Sequence, residues 1–272
     1  MPDYTALVTG ASSGIGHATA EAFRDEEWTV YATGRDPDDL TELAERGCET
    51  VELDVTDPEE CKAAIERVAD EQGRIDALVN NAGFAQFGAV EDVPPRRLHR
   101  QFDVNVYGPH RLCRWALPHM REAERGTVVN VSSFLGRITI PGSGAYAASK
   151  AALESMSDAL RAEVDAYDVD VVLVEPGPVS TKFNERVAEE VDFDRTGAYE
   201  YIYDAVEDRQ SMGDLASIPP SEVADTVVHA ATCSDPQPRY PVGEVAKAGL
   251  LARHVPDRWR DTAFGLIRRV LE

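Results

Sequence analysis

Ala6-Leu7-Val8-Thr9-Gly10-Ala11-Ser12-Ser13-Gly14-Ile15-Gly16 is the stretch on which the reading of this chain turns. A short β-prone run ends in three glycines, and a helical pattern of apolar residues begins at once. Glycine lets such a turn take positive φ, brings an anion close to the backbone and allows tight packing of helix on sheet. The helix start also offers unpaired N–H groups and the positive end of its dipole. Gly10, Ser12, Ser13, Gly14, Ile15 and Gly16 are therefore candidate contacts for a pyrophosphate. Two other sites use similar letters. A P-loop needs Gly-Lys-Ser/Thr at its end, whereas His17 follows Gly16. Gly10-Ala11-Ser12-Ser13-Gly14 also fits the G-x-S-x-G elbow, with Ser12 as a hydrolase nucleophile. That elbow ordinarily follows the strands that build its oxyanion hole; here it precedes them.

Outward from this turn, short β-rich runs alternate with helix-periodic stretches. Candidate strands are Ala6–Val8, Thr29–Ala32, Thr50–Leu53, Ala77–Val79, Thr127–Val131 and Val169–Val174, with helices such as Gly16–Glu26, Pro58–Gln72 and Ala147–Ala166 between them. The alternation predicts an α/β fold, a doubly wound parallel sheet of Rossmann type in one domain over residues 1–272. Near-continuous apolar strands fit a sheet covered on both faces. Residues 183–218 break the pattern: the segment is acidic, rich in tyrosine (Tyr199, Tyr201, Tyr203), and ends at Pro219-Pro220. An insertion after the sixth strand lies beside the carboxyl edge, where ligands bind, and reads as a helical substrate lid. The extension from Arg239 to Glu272 carries seven basic against four acidic residues, with apolar residues at helical spacing from Leu250 to Leu271. It has three candidate partners: the chain's own acidic body, a second subunit, or an anionic membrane surface.

Composition bounds the function. Of 272 residues, 49 are Asp or Glu and 27 are Lys or Arg, a formal charge of -22. Such a chain lacks the basic footprint that releases counterions from nucleic acid. Apolar and aromatic residues spread throughout argue against disorder. Only Lys62, Lys150, Lys182 and Lys247 are lysines. Abundant carboxylates with little lysine suit concentrated salt, where a Debye length of roughly 3 Å at about 1 M screens self-repulsion. Halophilic origin is the expectation. Cys48, Cys61, Cys113 and Cys233 show neither a CxxC pair nor metal-ligand spacing, so reduced thiols and no metal are expected. Neither a signal peptide nor an apolar run of membrane-spanning length is evident, and a soluble cytoplasmic protein is expected.

The second chemical signal is Tyr146-Ala147-Ala148-Ser149-Lys150. On a helix, positions i and i+4 share a face, so phenol and ammonium come within reach. A cation there favours phenolate and would lower the tyrosine pKa from about 10 towards working pH, as acid–base catalysis needs.

Together these features resemble the short-chain dehydrogenase/reductase family, from Tyr4 to about Thr181. Thr9–Gly16 matches its TGxxxGxG turn, Asp54-Val55 its adenine-contacting pair, and Asn80-Asn81-Ala82-Gly83 its NNAG segment. Asn105 matches the asparagine of the catalytic tetrad, and Ser133, thirteen residues before Tyr146, its serine; the spacing disfavours Ser132. Pro176-Gly177-Pro178-Val179-Ser180-Thr181 matches PGxxxT, which holds the nicotinamide carboxamide. The resemblance implies hydride transfer between nicotinamide and a carbonyl or carbinol carbon. Ser133 would bond the substrate oxygen and Tyr146 would move its proton. Lys150 would bind ribose and tune Tyr146, and Asn105 would hold a water linking Lys150 to solvent. Asn81, Ala82, Gly83, Pro176, Gly177, Val179 and Thr181 are the further cofactor contacts it implies. The family's C-terminal glycine-rich tetramer segment is not evident, so a homo-oligomer, a dimer in particular, is expected.

Cofactor choice rests on the end of the second strand. Gly34 stands where NAD-preferring folds carry an acid for the ribose 2′-OH, and Arg35 offers a guanidinium suited to the 2′-phosphate of NADP. His17 is a further candidate contact, while Asp36 would repel that phosphate if it turned inward. NADP is therefore the expected cofactor. Phe84, Phe87, Phe134, Ile140, Pro178, Phe183 and the lid tyrosines suggest an apolar pocket. The Thr29–Arg35 stretch resembles the hydroxysteroid and retinol dehydrogenase branch, which implies a hydrophobic ketone, aldehyde or secondary alcohol. The alternative is a nucleotide-binding regulator that retains the fold with little turnover.

Overall fold

A computed structural model describes residues 4–181, 193–205 and 217–271, the last five as main chain alone. Seven strands form one parallel sheet in the order β3-β2-β1-β4-β5-β6-β7. They are β1 (Thr5–Val8), β2 (Thr29–Gly34), β3 (Glu49–Glu52), β4 (Ala77–Asn80), β5 (Gly126–Val131), β6 (Val169–Pro176) and β7 (Arg239–Val242). The helices are α1 (Gly14–Asp25), α2 (Thr41–Glu45), α3 (Pro58–Gln72), α4 (Pro95–Phe102), α5 (Gly108–Glu122), α6 (Gly144–Val164), α7 (Pro220–Thr232), α8 (Glu244–Leu251) and α9 (Asp257–Leu271). The strand order reverses between β1 and β4, and a ligand crevice opens outside the carboxyl ends of strands at such a point.

Alternation along the strands builds two cores. Ala6, Val8, Val30 and Ala32 pack with Phe23 of α1 and with Val223 and Val227 of α7. Leu7, Tyr31, Leu78 and Val128 pack on the other face with Ile65 of α3 and Leu112 and Ala116 of α5. Each fully buried Leu, Val or Phe contributes about 1.5–3 kcal/mol. A polar ladder then sets the register of α6. Asn80 Nδ2 donates to Asn130 Oδ1 at 2.8 Å, and Asn130 Nδ2 donates to Ser157 Oγ at 2.8 Å. Buried amides unable to reach water hold these partners firmly, so the helix bearing Tyr146 and Lys150 is pinned to the strands bearing the rest of the site.

Two features differ from the sequence reading. Arg239–Val242 opens the C-terminal extension yet forms the seventh strand, paired with Leu173–Pro176. Pro241 disguised it, since proline is tolerated only at a sheet edge, and β7 is the edge. Between α4 and α5, residues Asp103–Tyr107 form a π-helical turn, in which Gly108 N–H donates to Asp103 O. Pro109 has no N–H to give the Asn105 carbonyl in α-helical register, so widening the turn avoids a lost bond. Of the expected lid, residues 182–192 and 206–216, including Phe183, lie outside the described residues. In its described part, Tyr203 and Ile202 pack on Ala89, and Asp92 accepts from Thr196 Oγ1 at 2.5 Å, Tyr203 Oη at 2.6 Å and Thr196 N at 3.0 Å. These bonds hold the Asp92 carboxyl below its ordinary range.

The four cysteines are free thiols. Burial pushes Cys61 and Cys113 up to about 12 and Cys48 up to about 11, which leaves them protonated and inert. No helix among the described residues is long and apolar enough to cross a membrane. Arg239 pairs with carboxylates of the chain's own body. Leu251, Trp259 and Leu266 are exposed.

Candidate active site

The glycine turn lies at the carboxyl end of β1. Gly10 (φ 66°) and Gly14 (φ 60°) occupy the left-handed region that glycine tolerates. At Gly16 the demand is steric: a Cβ would stand 2.3 Å from Gly10 O and 2.4 Å from Asn81 Nδ2. Neither neighbour can retreat, because Asn81 Nδ2 is itself bonded to Thr9 O at 2.9 Å and Gly10 O at 3.2 Å. Gly16→Ala should therefore destabilise the fold by about 1–3 kcal/mol, measured as a lower urea midpoint; an unchanged midpoint would refute this packing. Thr9 Oγ1 ties the two strand ends together, accepting from Asn81 N and Ala82 N at 3.0 Å each. Thr9 was absent from the expected contacts, although its place in the motif marks it.

The α1 start is open to an anion. Ser13 is the N-cap residue but makes no side-chain cap bond, and the first turn holds no acid. The leading N–H groups of Gly14, Ile15 and Gly16 thus lack helical acceptors. Gly14 borders a cleft of about 430 Å³ that Ser12, Ser13, His17 and Thr181 also line. A Cβ at Gly14 would come within 3.1 Å of Thr181 Cγ2. This cradle of bare backbone and small side chains fits the pyrophosphate of a dinucleotide. Among the described residues, no base is hydrogen-bonded to Ser12, whereas a hydrolase elbow needs one.

The other expected cofactor contacts follow the strand ends. Arg35 directly follows β2, exposed and without an acidic partner among the described residues. Asp36 Oδ1 accepts from Asp38 N at 3.0 Å and caps a 3-10 turn at Pro37–Leu40, so its carboxylate is engaged locally. His17 borders the cleft, with Nδ1 3.5 Å from Glu21 and Nε2 3.7 Å from Glu42. Asp54 and Val55 follow β3, with Asp54 Oδ1 accepting from Thr56 N and Thr56 Oγ1 at 2.8 Å each. Asn81, Ala82 and Gly83 follow β4, and Pro176 closes β6. Gly177 N donates to Val242 O at 2.9 Å, and Val179 bridges to Ile218.

The four expected catalytic residues converge on the same edge. Ser133 follows β5; its Oγ accepts from Leu135 N at 3.2 Å and hydrogen-bonds the Tyr146 hydroxyl. Ser132, by contrast, faces Glu154. Asn105 is buried in the π-helical turn, where Nδ2 donates to Phe84 O at 3.0 Å and Ser149 Oγ at 3.2 Å. Its Oδ1 accepts from Phe84 N at 3.2 Å. The Asn105 side chain therefore fastens the β4 exit to α6, and Ser149 is a partner the sequence reading missed. Phe87, Phe134, Ile138 and Ile140 pack with Tyr146 into an apolar cluster.

The electrostatics correct one expectation. Tyr146 is not lowered: burial pushes its phenol up to about 12, with the Ser133 hydrogen bond opposing. Lys150 donates to Val131 O at 2.8 Å, and its Nζ lies 5.8 Å from the centre of the Tyr146 ring. Burial pulls that ammonium down to about 8, opposed by Glu154. Desolvation outweighs the neighbouring cation.

Residues 4–192 match the family described as short chain dehydrogenase. The chain belongs to the short chain dehydrogenase family. Across 94% of its own length and 91% of the relative's, this short chain dehydrogenase is 36% identical to the uncharacterized oxidoreductase YbbO of Escherichia coli. It is 33% identical to the NADPH-dependent 3-dehydrocapnine reductase of Ornithobacterium rhinotracheale, over 95% of each chain. A solved short-chain dehydrogenase from Streptomyces avermitilis superposes with a TM-score of 0.84 at 34% identity, covering 99% of this chain and 98% of that one. The chain is thus an oxidoreductase with the family's Rossmann-like fold.

Proposed function

We propose that this oxidoreductase reduces a hydrophobic ketone or aldehyde with NADPH, Tyr146 acting as the general acid. The observation that carries this reading is the meeting of Tyr146, Ser133, Lys150 and Asn105 at one sheet edge, between an open helix N-terminus and an apolar cluster. NADPH, when bound, supplies the hydride. Ser133 and Tyr146 hold the substrate oxygen, and Tyr146 Oη gives it a proton as negative charge develops. A phenol pushed up to about 12 stays protonated at neutral pH, the form that reduction requires. Lys150 binds ribose hydroxyls, and the Asn105 turn supports the resupply of protons through Lys150. The Gly10–Gly16 turn would hold the pyrophosphate, Asp54 and Val55 the adenine, and Asn81, Ala82, Gly83, Pro176, Gly177, Val179 and Thr181 the nicotinamide half of the cofactor.

NADP preference is supported by Gly34 in place of an acid, by Arg35 without an acidic partner among the described residues, and by Asp36 engaged in its own cap. A relative named for NADPH dependence adds to this. Phe87, Phe134, Ile138 and Ile140 favour an apolar substrate. Oxidation of NADPH over a panel of ketones and aldehydes tests the reading; binding without turnover across the panel would favour a regulator. Reduction should fall as pH rises past about 8, because Lys150 loses its proton there; a rate that keeps climbing to pH 10 would exclude an ammonium role. The acidic surface fits concentrated salt, so molar KCl should raise the melting temperature, and a drop would count against salt adaptation. Exposed Leu251, Trp259 and Leu266 support a homodimer.

A further inference from the structure

α6 carries a second buried charge that the mechanism above leaves unused. Glu154 lies four residues after Lys150 on the same helix face, and the two are 4% and 6% exposed. Arg239 of β7 donates to the Glu154 carboxylate, to Glu175 at 3.1 Å and to Asp158 at 2.5 Å. Arg137, after β5, donates to Glu175 at 3.1 Å. Charges therefore alternate from Lys150 through Glu154, Arg239 and Glu175 to Arg137. Asp158 pairs further with Arg161 at 2.9 Å.

A buried carboxylate costs several kcal/mol unless it is paired, and apolar substitutes often serve stability as well. Glu175 and Asp158 already anchor Arg239 to β6 and α6, so tying these elements together does not require a third acid. The distinctive feature of Glu154 is its position beside the lysine. The groups facing Lys150 are Tyr146 and Glu154 from its own helix and the Val131 carbonyl at the end of β5. Arg239, Glu175, Arg137 and Asp158 stand behind Glu154.

We propose that Glu154 is a positioning residue for the reaction, its carboxylate anchored by Arg239 and holding the buried Lys150 as an ammonium ion through neutral pH. This inference rests on the role given to Lys150 under Proposed function. Burial pulls Lys150 down and Glu154 opposes that pull; burial pushes Glu154 up and Glu175 adds to the push, while Ser132 and Arg239 oppose it. Ser132 and Arg239 thus favour the charged acid, and the charged acid favours the charged lysine. An opposite charge within about 4–6 Å shifts a pKa by about one to three units.

With four lysines in the chain, Lys150 can be titrated directly. In protein labelled with [ε-13C]lysine, K150R identifies the Lys150 NMR signal, whose midpoint should lie at about 8. In E154Q the midpoint should fall by about one unit or more, and the alkaline limb of NADPH oxidation should move down with it. A merely structural role would lower activity equally at every pH. Should E154Q fail to fold, E154Q/R239Q removes the acid together with its arginine, leaving Glu175 paired with Arg137 and Asp158 with Arg161. Its midpoint should fall as well, since Glu154 is the charge that acts on Lys150. A Lys150 midpoint unchanged in whichever variant folds overturns the proposal. Because the titration reads the lysine without turnover, its outcome is separable from any failure of the reductase reading.

Discussion

Tyr146→Phe removes the proton donor and should lower kcat for carbonyl reduction by about 10²- to 10⁴-fold, the range typical of a lost general acid. Phenylalanine keeps the ring that packs against Phe87 at 5.8 Å between centroids and keeps its place in the apolar cluster. It loses the bond to Ser133, while the Ser133 bond to Leu135 remains. Folding and NADPH binding should therefore stay close to wild type, with KM for NADPH changed less than about threefold. Stopped-flow fluorescence of bound NADPH and steady-state turnover separate the two quantities. Residual activity within tenfold of wild type would assign the proton to another group. The high pKa sharpens this expectation. A phenol at about 12 is almost wholly protonated at pH 7, so the reductive direction needs no prior ionisation.

Arg35→Ala should raise KM for NADPH by about 10- to 100-fold and leave NADH kinetics nearly unchanged. A charged hydrogen bond is worth about 1.5–3 kcal/mol, and each 1.4 kcal/mol is about tenfold. Arg35 is exposed and has no acidic partner among the described residues, so its removal costs the fold little and isolates the cofactor term. The effect should shrink at high salt less than that of a lone surface charge, because a bidentate guanidinium–phosphate contact is directional. Equal loss with both cofactors would show that Arg35 supports the loop; no loss with either would leave NADP preference without its residue.

Much of this site could be read along the chain because its parts are local. The glycine turn joins one strand to one helix, Tyr146 and Lys150 share one helix face, and Ser133 precedes Tyr146 by a fixed loop. Six of the seven strands were visible as β-branched runs between helical stretches. β7 was not, because its pairing with Leu173–Pro176 spans most of an α/β unit and Pro241 argues against a strand anywhere but an edge. Long-range pairing likewise concealed the Arg239 network, whose carboxylates come from α6 and β6. The tyrosine electrostatics were misjudged for a related reason. Spacing places a lysine near a phenol, but burial sets the sign of the shift, and burial depends on the whole fold. The π-helical turn was in principle legible from Pro109, four residues after Asn105.

The central claim is that this short chain dehydrogenase transfers a hydride from NADPH to an apolar carbonyl with the aid of Tyr146. Incubation with [4-2H]NADPH, prepared separately as each C4 epimer, and an aromatic or long-chain ketone in molar salt tests it directly by mass spectrometry of the alcohol. The account predicts deuterium on the carbinol carbon from one epimer, at a rate that collapses in Tyr146→Phe. NADPH that binds but leaves every ketone and aldehyde unlabelled, or labelling that persists undiminished in Tyr146→Phe, would contradict it.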